Sequence, residues 1–263
     1  MVRGLSIFRK HFAGYEDSFV IIGGVACDEW FTRVRRRFRA TRDIDMVLIL
    51  DGDQPRFFKH FWAFAKEAGY EVRQRADGKK TLYGFENPRN LNFPQVIELF
   101  SNAPMEIEPF PGQRIVPIPA GEDVSSLSAI LMDEEYYQFL MGQRELVDGL
   151  PLIRPAGLIV LKAKAWMDLS MRRTAGDKSV DEDDVKKHRS DVFRLASILP
   201  VGESISLPPS MAADLGGFLS VFSTASPEWR SILDSIKSSG NRMSPADLLL
   251  VLRNYFGMRE GTR

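Results

Sequence analysis

FVIIGGVACDEWF at 19–31, followed by RATRDIDMVLIL at 39–50, decides how this chain is read. Phe19 to Ile22 are aromatic and β-branched and end at glycine, the pattern of a short buried strand. Gly23-Gly24 follow, and Val25 to about Val34 read as a helix. The first N–H groups of that helix have no intrahelical partner and carry partial positive charge, which suits a phosphate. Glycine lets backbone N–H groups approach such a ligand closely. A second apolar run, Asp43 to Leu50, opens with two aspartates. Side chains two apart on a strand share a face, so Asp43 and Asp45 project together. Two carboxylates held this way repel unless one keeps its proton or a cation joins them. Mg²⁺ takes oxygen ligands and shares its shell with substrate phosphates. The stretch predicts metal-dependent chemistry on a nucleotide.

A third carboxylate on a neighbouring strand would complete such a site, because two metal ions can activate an attacking oxygen and stabilise a leaving one. The candidate is Glu98 in QVIELFS, an acid inside an apolar strand. A buried carboxylate needs a partner or a metal. The alternative is that Glu98 pairs with an arginine such as Arg42 or faces solvent at a sheet edge. Arg33, Arg35, Arg36, Arg37, Arg39 and Arg42 form a basic run with no acid among them. Such a run engages phosphates of a nucleotide or a polynucleotide, or is a solvated turn. Arg39 and Arg42 adjoin the aspartates and are the stronger candidates.

On GG followed by D-x-D the chain resembles the nucleotidyltransferase superfamily, whose hallmark is GG or GS ahead of that motif. The wording GGVA then RATRDID is most similar to the AbiEii-type branch, which includes toxins of toxin–antitoxin systems. The 18 residues between Gly24 and Asp43 are a long spacing for the superfamily. The resemblance covers roughly residues 18–200. It implies an α/β fold, a mixed twisted sheet flanked by helices, followed by a helical C-terminal region. It implies an enzyme that moves an NMP from an NTP to an acceptor and releases pyrophosphate. Asp43, Asp45 and Glu98 would hold Mg²⁺ (or Mn²⁺), although the third acid of the family is usually Asp. Gly23 and Gly24 would contact phosphates.

Two further segments extend the resemblance. PAGLIVLKAKAWMDL carries Lys162, which would reach a triphosphate as a point charge. KKHRSDVFRLA matches a K-D-x-x-D-like pattern in part, with His188 in place of its first acid. There Lys187 and Asp191 lie four apart on one helical face, as nucleotide-binding residues or as a surface pair. The resemblance implies an RNA or tRNA acceptor and an antitoxin protein as partners. Two alternatives stand beside it: a catalytically inactive nucleotide- or RNA-binding protein of the same fold, and an antibiotic-type enzyme acting on a small molecule.

The chain has 263 residues, with 35 basic and 35 acidic. Its length fits one large domain or two small ones, and the organisational boundary is expected near residue 150, giving 1–150 as an α/β domain and 151–263 as a helical domain that completes the site. No apolar run approaches the roughly 20 residues that span a bilayer, and no signal peptide is recognised, so a cytoplasmic protein without membrane contact is expected. The single Cys27 allows no internal disulfide and reads as a packed residue. There is no H-E-x-x-H, no G-x-x-x-x-G-K-[ST] and no G-x-S-x-G, which disfavours zincins, P-loop NTPases and α/β-hydrolases.

Further helices are predicted at 5–12, 55–68, 155–172, 181–199, 208–221, 226–238 and 244–256. Further strands are predicted at Thr81 to Glu86, Gln95 to Phe100, Leu127 to Met132 and Tyr136 to Leu140. The polar loop RRTAGDKSVDEDD is expected to be mobile, or to end in an acidic helix N-terminus at 181–184.

Overall fold

The computed structural model describes residues 2–49, 54–75, 82–100, 115–118, 130 and 133–258. The chain divides into two compact units, Met1–Glu29 with Ala40–Arg154, and Trp30–Arg39 with Pro155–Arg263.

The first unit contains α1 (Leu5–His11), β1 (Phe19–Ile22), most of α2 (Gly23–Arg33), β2 (Asp43–Leu48), α3 (Gln54–Ala68), β3 (Glu71–Arg75), β4 (Leu82–Glu86), β5 (Val96–Phe100), β6 (Ile115–Ile118), α4 (Glu134–Gly142), β7 (Arg144–Val147) and β8 (Leu150–Ile153). The strands form one mixed sheet in the order β6-β3-β4-β5-β2-β1-β8-β7. β1 runs antiparallel to β2 and parallel to β8, while β2 runs parallel to β5.

Register separates the two faces of this sheet. Ile44, Ile97, Phe85 and Val72 form one row across four strands, and all four are buried. Helices α1 and α3 cover that face through rings: Phe61 lies 4.8 Å from Phe85, and Phe8 lies 5.8 Å from Phe19. The aromatics of α3 are therefore core, the ordinary outcome for an apolar helical stripe. The residues between them in each strand, Asp43, Asp45, Glu98 and Glu86, point to the opposite face.

The second unit is helical: α5 (Pro155–Thr174), α6 (Glu182–Ala196), α7 (Pro209–Ser220), α8 (Trp229–Lys237) and α9 (Pro245–Tyr255). Helix α5 packs on α6 and α7. Trp166, Phe193, Phe218, Phe222 and Trp229 stack into its core, with Phe193 and Trp229 centred 4.7 Å apart. Starts are well marked in sequence. Ser244 and Asp247 form a capping box at α9, and Asp181 accepts from Asp183 N–H at α6, where Glu182, Asp183 and Asp184 complement the dipole.

Several expectations are corrected. Tyr136 to Leu140 belong to helix α4, because Asp133 caps it by accepting from the N–H groups of Glu135 and Tyr136. All of the expected Leu127–Met132 strand except Ile130 lies outside the described residues. Strands β7 and β8 form a hairpin that is not among the expected strands. Its turn is Asp148-Gly149, with φ of 46° and 78°, the D-G signature of a tight hairpin. Strands β3 and β6 were not anticipated. The loop between α5 and α6 is bonded in place: Asp177 accepts from Ser179 and Arg172, and these bonds pull its carboxyl down to about 2. Among the described residues, no helix is long and apolar enough to cross a membrane.

Candidate active site

Parallel pairing of β2 with β5 sets Asp45 directly beside Glu98, with Asp43 two residues along the same face. Glu98 is opposed on its other side by Gly84 of β4, and Glu86 follows at the next same-face position. The expected trio thus comes together on two adjacent strands, β2 and β5, in the sheet interior. The alternatives for Glu98 do not hold, since β5 lies between β4 and β2, and its charged neighbours are carboxylates.

That neighbourhood has an electrostatic consequence. Burial, then the Asp45 carboxylate and the hydrogen bond with it, then Asp43 and Glu86, push the Glu98 carboxyl well above the ordinary glutamate range. Glu98 therefore holds its proton to higher pH than a free glutamate and shares it with Asp45. This is the arrangement of like charges that keep one proton between them.

The diglycine has a role that spacing alone did not suggest. Gly23 has φ of 65°, and a Cβ there would lie 1.6 Å from Asp45 Oδ2 and 2.7 Å from its Cγ. A Cβ on Gly24 would lie 2.1 Å from Thr41 Oγ1 and 2.9 Å from Thr41 Cβ. Both glycines thus make room for side chains of the 41–45 segment at the start of α2. The Asp45 carboxylate rests against the N-terminus of that helix, where negative charge is favoured.

The cationic candidates fall into different surroundings. Arg42 is exposed. Within the second unit, Lys162 is buried and its Nζ lies 2.9 Å from Asp191 Oδ2. Arg39 reaches the same carboxylate through Nη2 at 2.9 Å and Nε at 3.1 Å, and Arg194 Nη1 bonds Asp191 Oδ1. Arg194 also donates to Ser239 Oγ at 3.0 Å and to the Ser235 carbonyl at 2.7 Å. Burial alone would push the Asp191 carboxyl up, but Lys162, Arg39 and Arg194 outweigh it and hold the group well below the usual carboxylate range. The surface-pair reading of Asp191 is corrected: the residue is fully buried at the centre of an ion network. Lys187 bonds Asp184 at 2.8 Å, one turn earlier.

No protein-family model matches the chain, and no curated protein matches it. A solved structure, that of an antigenic nucleotidyltransferase-like protein from Paracoccidioides brasiliensis, is similar at 13% identity and a TM-score of 0.40, over 88% of this chain and 90% of that one. The likeness is remote, and the chemistry is read from the residues themselves.

As donors, Asp43, Asp45 and Glu98 supply only carboxylate oxygen, the set that suits Mg²⁺ or Mn²⁺. Among the described residues, no three His, Cys, Asp or Glu side chains are already drawn together as the ligands of an ion would be. Sequence reasoning missed Thr41, Gly84, Arg194 and Ser239. A lone glycine inside the strand LYGFE is a signal of close approach, and it pointed to Gly84. Arg194 lies three residues after Asp191 on the same helical face, which was the signal for that pair.

Proposed function

We propose that the protein is a metal-dependent nucleotidyltransferase that moves an NMP from an NTP to an acceptor. The observation that carries this reading is the convergence of Asp43, Asp45 and Glu98 on one sheet face. In the reaction an acceptor hydroxyl oxygen forms a bond to the α-phosphorus. The bond from that phosphorus to the bridging oxygen of the β-phosphate breaks, and pyrophosphate leaves.

Asp43, Asp45 and Glu98 would hold Mg²⁺ or Mn²⁺, which when bound neutralises triphosphate charge and eases deprotonation of the attacking hydroxyl. Glu98 would have to be ionised, its proton passing to solvent, to serve as a ligand. Gly23 keeps the Asp45 carboxylate in place, and the first turn of α2 offers N–H donors to phosphate. In this reading Lys162, Arg39 and Asp191 form a bonded cluster in which Asp191 orients both cations, and Arg42 remains an exposed phosphate contact.

The resemblance of GGVA and RATRDID to the AbiEii-type branch supports an RNA acceptor of the tRNA kind. An antitoxin protein as partner is part of the same proposal. The basic run from Arg33 to Arg42 agrees with a polynucleotide. The test incubates the protein with Mg²⁺, each α-labelled NTP in turn, and total RNA or tRNA. Label on RNA with wild type, and none with Asp43→Ala/Asp45→Ala, is the expected result. Transfer by the double variant equal to wild type overturns the reading.

A further inference from the structure

Helix α2 ends in a turn with three arginines, Arg35, Arg36 and Arg37, to which the acidic site gives no part. Residues 32–37 are all exposed. The turn they make is nonetheless fixed. The Arg36 N–H donates to the Phe31 carbonyl at 2.8 Å and the Arg35 N–H to the Thr32 carbonyl at 2.9 Å, the paired bonds of a Schellman stop. Arg35 thereby takes the left-handed position where glycine is usual, with φ of 57°. Among the described residues, the other non-glycine residues with positive φ are Asn87 and Asp148, of types that accept it. Arginine there carries a steric cost that glycine would avoid. Rings clamp the turn: Phe31 is fully buried and lies 5.4 Å from Phe38, over which the Arg39 and Arg194 guanidinium groups sit at 5.2 Å and 5.1 Å. Arg36 Nη1 donates to the Ser197 carbonyl at 3.1 Å, which orients the side chain without cancelling its charge.

Concentrated positive charge is what this turn presents. The nearest acids along the sequence are Glu29 and Asp43, and among the described residues no carboxylate pairs with Arg35, Arg36 or Arg37. A helix C-terminus favours cations, but it carries only about half a charge, and Arg33 already stands in the last turn of α2. Three further cations, one of them in a strained backbone, exceed what the helix end asks for. We propose that Arg35, Arg36 and Arg37 form a docking surface for the phosphate backbone of RNA, the choice of RNA resting on the acceptor in the reading above. None of the three is buried, so they do not make a pocket for one anion. Consecutive exposed cations suit a line of phosphates, which a polynucleotide carries at every residue. A guanidinium donates two parallel bonds to one phosphate, which an ammonium does not. Contacts of this kind fix where the RNA lies and carry no sequence information.

The test measures binding of a fluorescein-labelled tRNA by anisotropy over a range of salt concentrations, on wild type, Arg35→Gln/Arg36→Gln/Arg37→Gln and Arg35→Gly. The substituted positions are exposed, and thermal unfolding checks that each variant is folded. The triple variant should bind more weakly, and its slope of log affinity against log salt should be shallower by about 2–3, since each phosphate contact contributes about 0.7–0.9. Arg35→Gly separates structure from binding. Glycine suits the left-handed position, so this variant should melt higher than wild type and yet bind the tRNA several-fold more weakly. Wild-type affinity and slope in the triple variant overturn the surface; labelled nucleotide still transferred to RNA by wild type then leaves the enzyme reading standing without it. Binding that depends on the arginines, with no transfer of label, supports the surface and overturns the enzyme reading. If poly-glutamate of equal charge displaces the tRNA as well as unlabelled tRNA does, the turn fits an acidic protein and the RNA surface is overturned.

Discussion

Gly23→Ala tests whether the diglycine exists to accommodate Asp45. Two costs are separable. The first is conformational: Gly23 has φ of 65°, and a left-handed backbone costs an L-residue about 1–2 kcal/mol. Gly149 provides a reference for this cost alone, because its φ is 78° and its nearest neighbour to a new Cβ is Arg9 Cγ at 3.8 Å. Gly149→Ala should therefore lose about 1–2 kcal/mol of stability. The second cost is collision. With a new Cβ 1.6 Å from Asp45 Oδ2, the oxygen has to move at least about 1.4 Å to reach the 3.0 Å that real contacts keep. Such overpacking costs about 1–3 kcal/mol more.

The assay is equilibrium urea denaturation of a double-mutant cycle, without divalent ions. In the wild-type background Gly23→Ala should cost about 2–5 kcal/mol. In the Asp45→Ala background the colliding atoms are gone and the nearest remaining one is the Cβ of residue 45 at 3.1 Å. There the substitution should cost no more than Gly149→Ala does. The coupling of about 1–3 kcal/mol is the energy of the Gly23–Asp45 contact. Equal cost in both backgrounds would refute the arrangement. The same displacement should lower nucleotidyl transfer roughly 100-fold, since misplacement by an ångström is worth that much.

Glu98→Gln should make the metal-free protein more stable than wild type at neutral and alkaline pH. The raised carboxyl binds its proton more tightly folded than unfolded, so wild type loses stability as pH rises above about 4.5, and glutamine removes that loss. Urea midpoints across pH would check this, and the same variant should lose Mg²⁺-dependent transfer. Asp191→Asn should destabilise by about 3–5 kcal/mol, because three cations lose their common carboxylate. The Asp191 carboxyl is depressed on folding, so its contribution is full above the ordinary carboxylate range and fades as pH falls below about 4; denaturation at pH 3 and pH 7 should show the variant losing less on acidification. Phe218→Ala, at the centre of the helical unit's ring cluster, should cost about 3–5 kcal/mol in a thermal or urea melt.

Local order was legible in the sequence where one residue's chemistry decides it. Proline and serine starts placed the helices of the second unit to within a few residues, and alternation placed Asp43 and Asp45 on one face. What was not legible depends on pairing across long separations. Strand β3 has charged and polar side chains, and becomes a strand because β4 and β6 bond it on either side. Tyr136 to Leu140 have strand-forming residues, and one aspartate at 133 turns them into a helix by satisfying two N–H groups. Propensity loses to a specific hydrogen bond in one case and to sheet pairing in the other.

The site divides along the same line. Which acids share a face follows from a period of two, and the parallel register of β2 with β5 then brings in Glu98. Whether a charge is available for a ligand does not follow from any period. Lys162 has the spacing of a triphosphate contact, but Asp191, which lies on another helix, holds it. The diglycine shows the same thing from the other direction. Read as sequence it is a gap in which backbone can meet phosphate, but in the fold it is filled by Asp45 and Thr41. A gap kept open for a ligand would tolerate a methyl group when the ligand is absent. A gap filled by the protein's own side chains would not, and the cost of Gly23→Ala without nucleotide or metal separates the two.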